Sequence, residues 1–567
     1  MTAWLRRHRA SLIVFAAATV WFLPGLWWGL PINSSTERML AWGTDELGPW
    51  GAVDAILAIV GRPRNDISPQ YPLAHFLVQA LFVWPYYLPH YIGTMFPSVA
   101  AKIGFPQQQA SLGVLMLLHR LPSLLMAAGT VAVVHGTARR MAGNAAGWMA
   151  AAAVATIGPL LYYARTSNTD VGALFWTALA LLLAAHALYE GLTTRRAIAI
   201  GVCAGIGAAT KDQQYAFFLG LGLVLLFTHF ADRRRAGALR GWWRAPIAGL
   251  GAAAVSYVAL SGIILLPQWF LGHVRFITRV PDPEIPEQIL ALADAYHSTP
   301  ATLAGYLQLA SNAGSQLAAA IGLPIMGLAL VGIVYAARTD RRLLGLLIVP
   351  PLCLALGVFA PARLVLPRYL LPVDLVLCLF AGLVVAAADR KPGAMRVAIR
   401  AVAVAGIAWA GLRGADLTLQ MLRDSRYEAG AWLERNVLPG DIVAYYGAPL
   451  KLPRLPLSAV VTPAAGQLSY VYKRRPPTTL APPAFIVSIP QLRTELDHEW
   501  SVPDATFAQL FDESSGYQQV LAIQTGALWP RPLLVASWVN PPVRVFARND
   551  IVPRLRDPAR IELPDPR

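Results

Sequence analysis

The chain has 567 residues, enough for about three or four soluble domains of roughly 150 residues each. Hydrophobic residues make up 56% and charged residues only 14%, against about 25% charged in ordinary globular proteins. Too few charges are present to cover a soluble surface, so the composition points to an integral membrane protein. The net charge of +16 sits in short clusters between apolar runs, which excludes a nucleic-acid-binding face and reads as membrane topology.

The N-terminus opens with Arg6, Arg7, His8 and Arg9, followed by an apolar run over 11–30. That run spans about twenty residues and lacks a small-residue cleavage site, so it reads as a retained membrane helix rather than a signal peptide. Further runs of spanning length fall near 112–137, 144–163, 171–190, 197–210, 214–230, 245–270, 315–336, 343–360, 369–387 and 395–412. The expectation is therefore about eleven transmembrane helices. Alternate loops are basic: Arg139-Arg140, Arg195-Arg196, Arg233 to Arg235 with Arg240 and Arg244, Arg338 with Arg341-Arg342, and Arg390-Lys391 with Arg396. This parity places the N-terminus in the cytoplasm of a multi-pass protein of the cell (inner or plasma) membrane. Residues 71–96 are apolar but broken by Pro85 and Pro89 and rich in Tyr and Trp. They are expected to lie along the interface, as is a helix near 46–60, within a long external loop over 31–111.

From about Arg413 the apolar runs shorten and Pro and charge increase, with strand-like stretches at 441–446 and 484–488. The expected fold is mainly α: a polytopic helical membrane domain over 1–412, then an extracytoplasmic soluble α/β domain over 413–567. Cys203, Cys353 and Cys378 all lie in apolar stretches without a CxxC, and His119, His135, His186 and His229 show no metal-ligand spacing. Neither structural zinc nor a disulfide framework has support.

This topology gathers polar residues on the outer face. Asp45-Glu46 stands in the first external loop, Asp170 in the turn before the fourth span, Lys211-Asp212-Gln213 in the next external turn. Arg275 and Arg279 lie in the loop 271–314, and Arg363 and Arg368 in the one after it. Ionisable groups beside apolar helices are costly unless they pair or serve a site. Structural readings stand beside this one: Asp170 as a helix cap, Asp45-Glu46 as caps of the interfacial helix, Lys211 and the two late arginines as headgroup anchors. Arg120, a third of the way into the second span, requires a partner. Asp45 and Asp170 could share a divalent cation, although carboxylates alone do not establish one.

Several motifs in this order resemble a known family. They are the DE pair Asp45-Glu46, Y-P-x-x-H-F from Tyr71, and the R-x-x-N-x-D turn of Arg165, Asn168 and Asp170. T-K-D-Q follows at Thr210 to Gln213, R-Y-L-L-P at Arg368 to Pro372, and D-S-R-Y-x-A-x-x-W-L at Asp424 to Leu433. Together they are similar to GT-C membrane glycosyltransferases of family 39 type, the group of protein O-mannosyltransferases and lipid A aminoarabinose transferases. The resemblance implies transfer of one sugar, hexosyl or pentosyl, from a polyprenyl-phosphate donor to a lipid, protein or glycan acceptor at the extracytoplasmic face, with inversion; the sequence itself calls for no cofactor. The resemblance also implies catalytic roles for Asp45, Glu46 and Asp170, and donor-phosphate binding by Lys211, Arg368, Arg120 and Arg363. Substrate positioning would fall to Asp212, Tyr71, Arg165, Asn168 and Tyr369. Trp42-Gly43-Thr44 precedes the acidic pair where the family motif commonly has His-Pro or Trp-x-x, so the choice of Asp45 as base rests on position. Two further readings remain open: a transporter or flippase for lipid-linked sugars, and a surface-polysaccharide ligase or polymerase.

Overall fold

The computed structural model describes residues 2–33, 41–43, 46–62, 71–278, 299–390, 393–446, 452–464, 481–489, 509–512, 515–526, 528–529 and 539–563. By packing the chain divides into two compact units. The first comprises Met1–Leu26, Pro49–Ala110 and Leu117–Gly414, and the second Trp27–Gly48, Ser111–Met116 and Ala415–Arg567.

The first unit is helical. In chain order its helices are α1 (Thr2–Phe22), α2 (Gly51–Ile59), α3 (Ala74–Met95), α4 (Pro97–Ile103), and most of α5 (Leu112–Ala142). Next come α6 (Asn144–Ala155), α7 (Gly158–Tyr163), α8 (Thr169–Glu190), α9 (Thr194–Thr210), α10 (Gln214–Arg235) and α11 (Arg244–Leu260). The later helices are α12 (Pro267–Thr278), α13 (Leu303–Ile321), α14 (Leu323–Thr339), α15 (Arg341–Leu354), α16 (Leu371–Ala388) and the start of α17 (Ala394–Leu422). Among the described residues six helices are long and apolar enough to cross a membrane, and seven if the bent α13–α14 pair is one span. Large apolar side chains such as Phe227, Leu250, Val255 and Leu330 stand exposed on helices of this unit, a surface that lipid covers and water would not. The protein is a multi-pass membrane protein.

Several of the eleven expected runs fall outside this count because they are broken or short among the described residues. The run 144–163 is two helices, because Gly158 and Pro159 restart the chain after α6. The run 315–336 straddles a 113° bend between α13 and α14. There Gly322 takes φ +84°, a conformation natural to glycine, and Pro324 begins the next helix, where its missing N–H costs nothing. Helices α9 and α11 have 17 residues each. The segment 71–96 forms α3 through both prolines and is not among the helices of spanning length and hydropathy.

Small residues bring the helices close. Gly201 and Gly205 on α9 face the backbone of Gly249 and Ala253 on α11, and a Cβ at either α9 position would overlap those carbonyls. This is the small-xxx-small approach that membrane helices use where the hydrophobic effect between them is weak. Helix α16 is apolar apart from Asp374 and buried on nearly every side, as expected of a central helix.

The second unit contains the last turns of α17, then α18 (Ser425–Asn436) and a six-stranded mixed sheet. Its strands are β1 (Ile442–Tyr446), β2 (Val460–Pro463), β3 (Phe485–Ser488), β4 (Tyr517–Ile523), β5 (Val543–Arg548) and β6 (Arg560–Ile561), in the order β2-β1-β3-β5-β4-β6. β1 runs parallel to β2 and β3, whereas β5 runs antiparallel to β3 and β4. Alternate side chains Val443, Phe485, Val487 and Val545 pack beneath Trp432 and Leu433 of α18. The strand-like stretches read at 441–446 and 484–488 coincide with β1 and β3.

Candidate active site

A buried polar cluster of the first unit lies where several helices begin. Asn168 caps α8: its Oδ1 accepts from the backbone N–H of Asp170 (3.0 Å) and Val171 (3.3 Å). Its amide group donates to Thr166 Oγ1 at 2.9 Å and to the Tyr163 carbonyl at 3.2 Å. The cap reading therefore belongs to Asn168, which leaves the Asp170 carboxylate free to turn to another partner. That partner is Lys211, the residue closing α9, whose ammonium forms an ion pair with Asp170 Oδ1. Both side chains are about 5% exposed, so Lys211 does not snorkel to a headgroup boundary.

Lys211 Nζ also lies 4.6 Å from the centre of the Tyr369 ring, and the Arg368 guanidinium 5.1 Å from the same ring. Tyr369 thus carries two cations on its π system. Arg368 and Tyr369 stand in the 3-10 turn that opens α16. Tyr163 interacts electrostatically with Asp170, Tyr369 and Tyr71, which brings these phenols to the same place. Asp170 stands in the first turn of α8, and Arg368 and Tyr369 in the turn before α16, and a helix start carries partial positive charge. Two cations over Tyr369 against one carboxylate leave the cluster with an excess of positive charge, which suits a bound anion.

Beneath it lies a polar layer. His75 and Gln79 are one turn apart on α3 and both fully buried. Gln79 donates to Ser167 Oγ at 2.7 Å, which ties α3 to the turn that carries Asn168 and Asp170. The His75 ring packs against Gly172 of α8 and Thr210 of α9, and neither ring nitrogen is hydrogen-bonded. Burial, with His119 adding to it, pushes the imidazole down to about 4, so at neutral pH it is uncharged. A Cβ at Gly172 would fall 2.7 Å from His75 Nδ1 and 3.2 Å from Thr210 Cγ2. Gly172→Ala should therefore cost about 1–3 kcal/mol, read as a lower thermal midpoint in detergent, and His75→Ala in the same chain should recover part of it. An unchanged midpoint for the single variant would contradict this packing.

The remaining expected site residues have other partners. Arg165 is fully buried and donates to the carbonyls of Phe22 (3.1 Å) and Trp21 (3.3 Å). It holds the C-terminal end of α1, where a cation complements the helix dipole. Arg120, also fully buried, donates to the Leu26 carbonyl at 2.7 Å, which supplies the partner its depth demanded. Asp212 pairs with buried His273, Oδ2 to Nε2 at 2.8 Å. Arg363 donates to the Thr299 carbonyl at 3.2 Å, and the Tyr71 carbonyl accepts from Trp269 Nε1 at 3.1 Å. Asp45 and Arg279 lie outside the described residues. Glu46 is described in the second unit, half-buried, its side chain folded back over Gly43. Among the described residues no three His, Cys, Asp or Glu side chains are grouped to hold a metal ion.

Sequence reasoning missed three groups here. His75 and Gln79 form an i, i+4 polar stripe on an otherwise apolar helix, a signal present in the string YPLAHFLVQAL. Asp374 follows R-Y-L-L-P by two residues and stands fully buried with both carboxylate oxygens unpartnered. An acid in an apolar span is itself the signal.

The fold and this cluster describe a multi-pass membrane protein with a buried acid–cation site at the starts of several helices. Residues 110–263 match the family model of dolichyl-phosphate-mannose-protein mannosyltransferase. The resemblance to GT-C glycosyltransferases of family 39 type therefore has its own carrier in this stretch, which includes Arg120, Arg165, Asn168, Asp170, Lys211 and Asp212. No curated protein matches the sequence. The structure is similar to the crystal structure of ArnT from Cupriavidus metallidurans bound to undecaprenyl phosphate, at 14% identity and TM-score 0.42, covering 97% of this chain and 99% of that one. It is also similar to the Archaeoglobus fulgidus oligosaccharyltransferase tethered with an acceptor peptide, at 11% identity and TM-score 0.43, covering 81% and 64%.

Proposed function

We propose that the protein is a membrane glycosyltransferase that moves a single sugar from a polyprenyl-phosphate donor to an acceptor hydroxyl at the extracytoplasmic face. The observation that carries this reading is the buried Lys211–Asp170 pair beside Arg368 and Tyr369. The family match over 110–263 supports it.

In this reading Lys211 and Arg368 bind the donor phosphate, Lys211 as a point charge and Arg368 as a planar fork. Asp170 holds the Lys211 ammonium in place without cancelling Arg368. The sugar C1–O bond breaks with its electron pair leaving on the lipid phosphate oxygen, where the two cations and the helix N-termini stabilise the charge. The acceptor oxygen forms the new bond to C1 from the opposite side, which inverts that centre. Its proton passes to a carboxylate, assigned from the sequence to Asp45. Arg165 and Arg120 are reassigned to holding backbone carbonyls near the end of the first span.

The test is mass spectrometry of envelope fractions from cells with and without the protein. One sugar mass should be missing from an acceptor in cells lacking it, with the sugar retained on polyprenyl phosphate. An unchanged acceptor profile would overturn the reading. Altered sidedness of the carrier with the acceptor sugar intact would favour a flippase.

A further inference from the structure

The sheet of the second unit carries a polar row at a place set by its topology. Strands β2, β1 and β3 are parallel and lie side by side in that order. After β1 the chain leaves toward β2 on one side, and after β3 it leaves toward β4 on the other. The carboxyl ends of β1 and β3 therefore flank a topological switch point. Open α/β sheets bind ligands at such points, because the two departing connections part there and leave a crevice.

Tyr446 and Ser488 are the last residues of these two strands and are paired across them. Ser488 is paired in turn with Arg544 of β5. Alternation puts all three on the face of Ala444, Ile486 and Phe546, opposite the face of Val443, Phe485 and Val545 that packs beneath α18. Paired side chains on one face stand about 5 Å apart, so a phenol, a hydroxyl and a guanidinium form one row across three strands. Tyr446 is 7% exposed, Arg544 5%, and Ser488 is fully buried.

The Ser488 hydroxyl has no hydrogen-bond partner among the described residues. An unsatisfied buried hydroxyl destabilises the fold, a cost that a bound acceptor removes. Beside it stands a guanidinium that stays charged at any physiological pH. Arg544 is held in place: Nη1 donates to Gln519 Oε1 at 2.9 Å, and its guanidinium lies 5.6 Å from the centre of the Phe511 ring. Phe511 meets Phe546 edge to face at 5.2 Å. A fixed cation and an unsatisfied hydroxyl among aromatic walls match the usual make-up of a ligand site, in which a few polar groups orient the ligand and apolar ones cover it. The planar fork of a guanidinium suits the oxygens of a carboxylate or phosphate, and the serine hydroxyl can donate to one of them.

We propose that Tyr446, Ser488 and Arg544 line a binding site for a small oxyanion, a carboxylate or a phosphate, at the carboxyl ends of β1 and β3. The site belongs wholly to the second unit and is independent of the sugar-transfer reading.

The test titrates the full-length protein in nanodiscs with glucuronate, with inorganic phosphate and, as the neutral control, with glucose. The readout is hydrogen exchange of peptides covering 485–488 and 543–548. At least one anion should slow exchange there severalfold, and glucose should not; which anion acts distinguishes carboxylate from phosphate. Arg544→Gln should raise the concentration needed for protection by about 10–100-fold, the scale of hydrogen bonds to charged groups. Ser488→Ala should raise it by about two- to tenfold, while the thermal midpoint without ligand stays the same or rises because an unpartnered hydroxyl is gone. The serine variant carries the test should Arg544→Gln fail to accumulate. No protection by either anion at tens of millimolar, equal protection by glucose, or protection confined to peptides of the first unit overturns the inference. So does a Ser488→Ala protein that is protected at the same concentrations as wild type.

Discussion

Lys211→Met should lower the stability of the membrane unit by about 3–5 kcal/mol and abolish sugar transfer together. The stability loss follows from what remains: removing one partner of a buried pair leaves the other charge uncompensated, and Asp170 is about 5% exposed with Lys211 as its ion-pair partner. A single variant therefore cannot separate phosphate binding from folding. Asp170→Asn combined with Lys211→Met replaces the pair by neutral groups of similar shape and should recover most of the thermal midpoint. Transfer should stay lost, because the phosphate has lost its point charge. Recovery of both stability and transfer in the double variant would show that the pair is a fold element and no more.

Asp45→Asn should reduce transfer by 10²–10⁴-fold, the usual contribution of a general base, with expression and membrane insertion unchanged. The amide keeps the size and hydrogen-bonding of the carboxylate but cannot take the acceptor proton. Product measured by mass spectrometry within about tenfold of wild type would remove Asp45 from the mechanism and direct attention to Glu46. Glu46→Gln serves as the paired control: its side chain folds back over Gly43, so its loss should matter less than that of Asp45.

Much of the candidate site was legible one residue at a time. Lys211, Asp170 and Arg368 stood out because charges beside apolar runs need a reason, Tyr369 came only with the R-Y-L-L-P resemblance, and the structure brings all four together. Arg165 and Arg120 stood out by the same rule, yet their guanidinium groups face backbone carbonyls of Trp21, Phe22 and Leu26. Composition flags a buried cation but does not distinguish a substrate phosphate from the frayed end of a helix as its partner, since both are oxygen acceptors. His75 was visible only as a letter of the Y-P-x-x-H-F motif and of an i, i+4 polar pair with Gln79, neither of which says what its ring meets. Its place against Gly172 and Thr210 depends on how α3, α8 and α9 pack.

The sequence by itself determined that the chain is a multi-pass membrane protein, since 14% charged residues cannot clothe a soluble surface of this size. It also determined β1 and β3, through short apolar runs between turn residues. Tertiary structure alone decided where helices break and which charges meet. Helix length in a membrane chain is cut by single Gly and Pro residues whose effect depends on neighbours, as at Gly322 and Gly158. Ion pairing over 41 positions, from Asp170 to Lys211, is set by the packing of helices, to which local hydropathy is blind.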